Sequence, residues 1–146
     1  MIRTTDREYI RSVFTHPAIY PHVSDDYAPP PEVWEPPIEG AAYLRPEEGG
    51  ACFMVHPHNR VMWEVHSAVL PEFRGKSKEY AEGVVRWVAQ NTPCKCFTTL
   101  VPEGNAPALA LAKSVGLKPV GVFPRSFMKG GRLLDQTILA MELSCP

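Results

Sequence analysis

Between Glu72 and Lys78 the chain reads EFRGKSK, which gathers the cations Arg74, Lys76 and Lys78 around Gly75 and Ser77. At the start of a helix such a run attracts phosphate, because the helix dipole, free backbone N–H groups and side-chain charges act on one anion. A solvated basic loop is the competing reading. Upstream, Glu64 and His66 stand two residues apart in an otherwise apolar run, so on a strand they share a face. A carboxylate and an imidazole placed this way suit a general base that takes a proton directly or through a water. The competing reading makes His66 a satisfied core histidine and pairs Glu64 with an arginine. His56 and His58 fall on one side of the turn before that strand. With Glu64 or His66 they offer donor types that zinc takes, but nothing fixes their spacing, so a surface turn and no metal is the expectation.

The elements that must hold these residues follow from pattern. Val61 to Leu70 is the clearest strand, with Val61, Trp63, Val65, Ser67 and Val69 on one face and Met62, Glu64, His66, Ala68 and Leu70 on the other. Pro71 stops it, Glu72 to Ser77 forms a loop, and Ser77 caps a helix reaching about Gln90. Lys95 to Val101 is a second strand. Asn105 reads as an N-cap, Pro107 sits in the first helical turn, and Gly116 closes that helix. Shorter strands are expected at Tyr43 to Arg45 and Ala51 to Val55, and a closing hairpin turns at Lys129-Gly130-Gly131. A strand–helix–strand unit demands a parallel pair. The fold class expected is therefore α/β: a mixed, mostly antiparallel central sheet with helices on both faces.

Residues 1–146 are expected to form a single domain. Residues 1–40 contribute a short helix from Asp6 to Phe14 and a proline-rich irregular segment, and residues 41–146 form the motif-bearing core. PPPEVWEPP, from Pro29 to Pro37, reads as a rigid connection packed down by Trp34, or as a polyproline ligand for a partner. With 45% hydrophobic residues, 15 basic against 16 acidic residues and a net charge of −1, the chain is globular and lacks the basic face a general nucleic-acid binder needs. No apolar run approaches a membrane span, and MIRTTDREYI is not a leader, so a cytoplasmic protein is expected. Cys52, Cys94, Cys96 and Cys145 have no zinc-ribbon spacing and read as structural.

The run VHSAVLPEFRGK, from Val65 to Lys76, resembles the pyrophosphate-loop motif of the GNAT superfamily of acyl-CoA N-acyltransferases. Asn105, Ala108, Leu109, Leu111, Gly116 and Leu117 fall at that superfamily's spacing for its second helix. The ending with Phe127, Gly130, Gly131 and Asp135 is similar too. The resemblance covers the chain from about Tyr43 onward and is most like small GNAT proteins of tailed phages. Its fold is the one expected above. It implies acetyl-CoA or another acyl-CoA as co-substrate, lying between two splayed strands. Backbone groups of Val69 and Leu70 would pair with the pantetheine arm, and Arg74, Gly75, Lys76, Ser77 and Lys78 would cradle the pyrophosphate. Asn105 would reach the pantetheine or the thioester. Two positions depart from the pattern: Glu79 replaces a small residue, and Ala112 stands where many members carry the tyrosine that protonates the departing thiolate.

The activity implied is N-acetyl or short-acyl transfer from acyl-CoA to a primary amine, by direct attack in a ternary complex, with Glu64 or His66 as base. The acceptor would be a small molecule or a protein amine, and a homodimer is an admitted assembly. No nucleic acid and no membrane is expected as partner. If the chain is phage-encoded, the compartment is the host cytoplasm. Glu79, Ala112 and the proline-rich segment keep a rival open: a catalytically degenerate GNAT-fold module for binding or assembly, as in phage particle construction.

Overall fold

In the computed structural model, which describes residues 1–144, seven strands form one sheet in the order β1-β2-β3-β4-β5-β7-β6. They are β1 (Ile2–Thr4), β2 (Ala42–Arg45), β3 (Ala51–Pro57), β4 (Met62–Val69), β5 (Cys96–Pro102), β6 (Lys118–Lys129) and β7 (Arg132–Glu142). Only β4 and β5 run parallel. The helix between them, α3 (Ser77–Asn91), supplies the crossover that such a pair requires. The other helices are α1 (Arg7–Phe14), α2 (Tyr20–Val23) and α4 (Ala106–Ser114). Sheet and helices match the expected mixed, mostly antiparallel architecture.

Alternation along the strands sorts the two faces. Leu44, Phe53, Val55, Val69 and Phe97 pack against Tyr80, Val84 and Val88 of α3. Tyr43, Cys52 and Ala68, one step out of phase, pack against Ile10, Val13 and Phe14 of α1 on the opposite face. Asp6 starts α1 by accepting a bond from the Tyr9 amide at 3.0 Å. The Tyr9 hydroxyl donates to the Ala51 carbonyl at 2.7 Å and ties the helix to β3.

The proline-rich segment is packed down. The Arg11 guanidinium donates to the Trp34 and Glu32 carbonyls and pairs with Glu35, and the Trp34 ring lies 5.9 Å from that of Phe14, tilted by 34°. Beyond expectation, residues 1–40 contribute the edge strand β1 and the short helix α2. Cys52 and Cys94 are buried, and burial pushes the Cys52 thiol up to about 12. Cys94 lies two residues before β5. Cys145 lies outside the described residues.

Candidate active site

The parallel pair β4/β5 holds only over Met62↔Cys96, Trp63↔Phe97 and Glu64↔Thr98. The Thr99 hydroxyl then donates to the Val65 carbonyl at 3.0 Å, and beyond that point the strands part. A cleft of about 230 Å³ opens between them, walled by Val65, Ser67, Leu100, Asn105, Leu111 and Ala112 among others. Glu64 and His66 also line it. Leu70 donates to the Gly50 carbonyl and Met62 accepts from His58, so the even-numbered β4 residues turn their backbone groups toward β3. Ser67 and Val69 therefore turn theirs toward the cleft. This corrects the expectation for Leu70: its N–H donates to Gly50, and its carbonyl, which accepts from Phe73, is turned away from the cleft toward β3 and the 3-10 segment.

The segment after β4 also departs from expectation. Pro71–Lys76 is a 3-10 helix, not an open loop, and it runs straight into α3. The Ser77 amide bonds the Arg74 carbonyl, and no side chain caps α3, so Ser77 is not the cap that its type suggested. Phe73 lies over Gly50, where a Cβ would come within 2.3 Å of its ring. The three cations differ in availability. Lys76 binds Glu48 at 3.1 Å, and Glu48 also accepts from the Tyr80 hydroxyl at 2.8 Å. Its own backbone amide, Tyr80 and Lys76 together hold the Glu48 carboxyl down at about 2. Lys78 faces Glu82 at 3.8 Å, whereas Arg74 is exposed beside the first, uncapped turn of α3. Glu79 is exposed and does not line the cleft.

Asn105 behaves as its spacing predicts. Its side-chain oxygen accepts from the Ala108 amide at 3.3 Å, Gly116 follows the helix at φ +104°, and the side chain borders the cleft. Asn105→Ala is expected to cost ~1 kcal/mol through the lost cap, read as a lower denaturant midpoint at unchanged slope.

The sequence reading did not foresee how closely the histidines and Glu64 meet. β3 extends through His56 to Pro57, so His56 is a strand residue directly opposite Glu64. His58 follows, and Asn59 shapes the turn by accepting from the amides of Val61 and Met62 at 3.0 and 2.9 Å. The His58 Nε2 sits 2.5 Å from Glu64 Oε2, His66 Nε2 3.4 Å from Oε1, and His56 Nε2 3.2 Å from His66 Nε2. Glu64 is only 4% exposed, and its carboxylate meets histidines rather than the arginine of the competing reading. Burial, then the neighbouring His56 and His58, lower the His66 pKa below 6.5, and Glu64 opposes them. Carrying the alternation of Phe53 and Val55 on to Pro57 places His56 in β3, but not opposite Glu64.

A second cavity of about 320 Å³ lies on the α1 side of the sheet, lined by Phe14, Tyr20, Asp25, Trp34, Tyr43 and Met54. It shares His66, Val23 and Phe127 with the cleft, so His66 stands where the two meet. A strap from residues 22–26 reaches over that junction. Its Asp26 carboxylate accepts from the amides of Gly130 and Gly131 at 2.9 and 2.8 Å, and Lys129 donates to the Ser24 carbonyl at 2.7 Å.

A parallel pair that parts beside a crossover helix, with a cleft running through the sheet, defines the acyltransferase fold of the GNAT class. Solved acetyltransferases share it. YncA from Salmonella typhimurium, solved with acetyl-CoA, superposes with a TM-score of 0.63 at 21% identity over 72% of this chain and 66% of its own. The ribosomal-protein-alanine N-acetyltransferase of Brucella melitensis gives 0.60 at 19% identity over 70% and 68%. The chain thus spans about two thirds of these proteins. By sequence, it belongs to the family described as protein of unknown function (DUF2824), matched over residues 43–144. It is similar to protein gp14 of Salmonella phage P22, 26% identical over 128 residues, covering 85% of this chain and 80% of that protein.

Proposed function

We propose that residues 1–146 act as one domain that transfers an acetyl or other short acyl group from acyl-CoA to a primary amine. The observation that carries this reading is the meeting of two cavities at His66, one between parted strands and one walled by aromatic residues. The acyl-CoA arm would lie in the cleft against the backbone of Ser67 and Val69, with the Asn105 amide near the thioester. Arg74, Gly75, Lys76, Ser77 and Lys78 would meet the pyrophosphate, Arg74 bearing most of it because Lys76 and Lys78 already face carboxylates. The acceptor would enter through the second cavity, where Asp25 and the faces of Tyr20, Trp34 and Tyr43 suit a cationic amine.

In this scheme His66, backed by Glu64, takes a proton from the ammonium form of the acceptor. The freed nitrogen attacks the thioester carbonyl carbon, the tetrahedral adduct collapses with cleavage of the C–S bond, and CoA leaves as a thiolate that takes up, through water, the second proton the nitrogen sheds as the amide forms. Ala112 gives no acid on the cleft wall, and a thiol of pKa about 8.5 can leave without one. The host cytoplasm supplies acyl-CoA, which fits the likeness to a phage protein.

Calorimetric titration with acetyl-CoA tests the reading, and saturable 1:1 binding is expected. Arg74→Ala with Lys76→Ala should weaken it ~10- to 100-fold, since each lost charge-assisted phosphate contact is worth roughly 1.5–3 kcal/mol and Lys76 is partly engaged by Glu48. Unchanged affinity would remove the phosphate role from this segment. Absence of binding at millimolar acetyl-CoA would favour the second reading, a binding or assembly module. The bonded Ser77 amide and the Lys76–Glu48 pair support that alternative.

A further inference from the structure

We infer that His56, His66 and Glu64 form a binding site for a divalent transition metal, best suited to zinc, with His58 bonding the ligating carboxylate from outside. Register brings the donors together: His56 lies directly opposite Glu64, and His66 stands two residues along β4 on the same face. One ligand atom from each of the three lies within 4.8 Å of the others.

The separations decide what fits between them. Bonds of about 2.0–2.2 Å from zinc to nitrogen or oxygen, arranged tetrahedrally, put neighbouring ligand atoms roughly 3.3–3.6 Å apart. The observed edges are 3.2 Å from His56 Nε2 to His66 Nε2, 3.4 Å from His66 Nε2 to Glu64 Oε1, and 3.8 Å from His56 Nε2 to Glu64 Oε2. The two Nε2 atoms thus lie side by side, each within 3.8 Å of one oxygen of the Glu64 carboxylate, His66 of Oε1 and His56 of Oε2. Among the described residues the charge partners of the buried Glu64 carboxylate are imidazoles, and a divalent ion would supply it a full countercharge. His58, 2.5 Å from Glu64 Oε2, supplies the outer hydrogen bond that ligating carboxylates ordinarily receive.

Three ligands leave a fourth position, and His66 places it beside the two cavities, within reach of water or a small ligand. Imidazole and carboxylate donors favour zinc over calcium or magnesium. Metal and protons compete for the same lone pairs, so affinity falls as pH drops through the histidine range.

The test uses the untagged full chain, stripped with chelator and titrated with Zn²⁺ against a chromophoric competitor. One equivalent with a dissociation constant below ~1 µM is expected, about −8.2 kcal/mol. Co²⁺ should give a visible spectrum of low-coordinate nitrogen and oxygen ligation without thiolate charge transfer. His56→Gln and His66→Gln should each weaken zinc at least ~100-fold, and His58→Gln ~10- to 100-fold, the range for outer-shell partners. Cys96→Ser with Cys145→Ser should leave it unchanged. Thermal melting of each metal-free variant shows that it is folded. No 1:1 binding by the folded wild type, binding indifferent to His56→Gln, or binding lost with the cysteines would each overturn the assignment.

Discussion

His66→Gln is expected to lower kcat/KM for acyl transfer ~10²- to 10⁴-fold while leaving acetyl-CoA binding near wild type. The imidazole is the titratable group shared by both cavities, whereas the residues proposed to meet the phosphate lie outside the cleft. Its side chain is 42% exposed, enough to meet an incoming amine, and its Nε2 points back at Glu64. A pKa held below 6.5 keeps the ring neutral at pH 7, ready to accept a proton. The rate should therefore be flat in this group above about pH 6.5 and fall as the ring is protonated at lower pH. Glu64→Gln separates the roles of the pair. The carboxylate is what raises the His66 pKa against burial, so its loss weakens the base and moves the acid limb to still lower pH. A limb that stays in place in Glu64→Gln, or a His66→Gln enzyme of undiminished rate, would take the proton transfer away from this pair. Chelator-treated protein is the form to assay, because a metal on the His66 Nε2 would displace the Glu64 contact that tunes the ring.

The same depressed pKa has a stability consequence of definite sign. Above the unfolded value near 6.5 both states carry neutral imidazole, and the native cluster has its full stability. Below it the unfolded chain binds the proton more readily, so stability is lost as pH falls toward the native pKa of His66.

Local rules made part of this molecule readable. The alternation from Val61 to Leu70, with Pro71 as a stop, gave β4 within one residue at each end. Asn105, Pro107 and Gly116 bracketed α4 because caps depend on immediate neighbours. The 3-10 helix at Pro71–Lys76 was hidden, since Gly75 and the cations suggest an open loop while Pro71 equally starts a helix. The histidine cluster was hidden for another reason. Strand periodicity put His56 with His58 and Glu64 with His66, but only the β3/β4 register, a nonlocal fact, sets one pair against the other. The strap is more distant still: Asp26 meets Gly130 and Gly131 more than 100 residues along the chain, and nothing in either segment names the other.

Phe97→Ala is expected to cost ~3–5 kcal/mol of stability, several times the loss from removing the Asn105 cap. Phe97 is 1% exposed, and it lies opposite Trp63 in the last stretch where β4 and β5 are bonded. Its ring packs in the α3-side core and also forms part of the cleft wall. Truncation removes the contacts where the sheet begins to divide, and the parted strands beyond have few inter-strand bonds with which to close the void. At 2–4 °C per kcal/mol for a chain of this size, the melting midpoint should fall by roughly 6–20 °C. Phe123→Ala is the control: an aromatic of the same size, 49% exposed on the edge strand β6, should shift stability by no more than about 0.5 kcal/mol. A saturating ligand in the cleft, at about one hundred times its dissociation constant, adds ~2.7 kcal/mol to the wild type. It should add less to Phe97→Ala, whose enlarged cleft holds the ligand more loosely. Equal stabilisation of both proteins by acetyl-CoA would mean that the ligand does not rest on this wall.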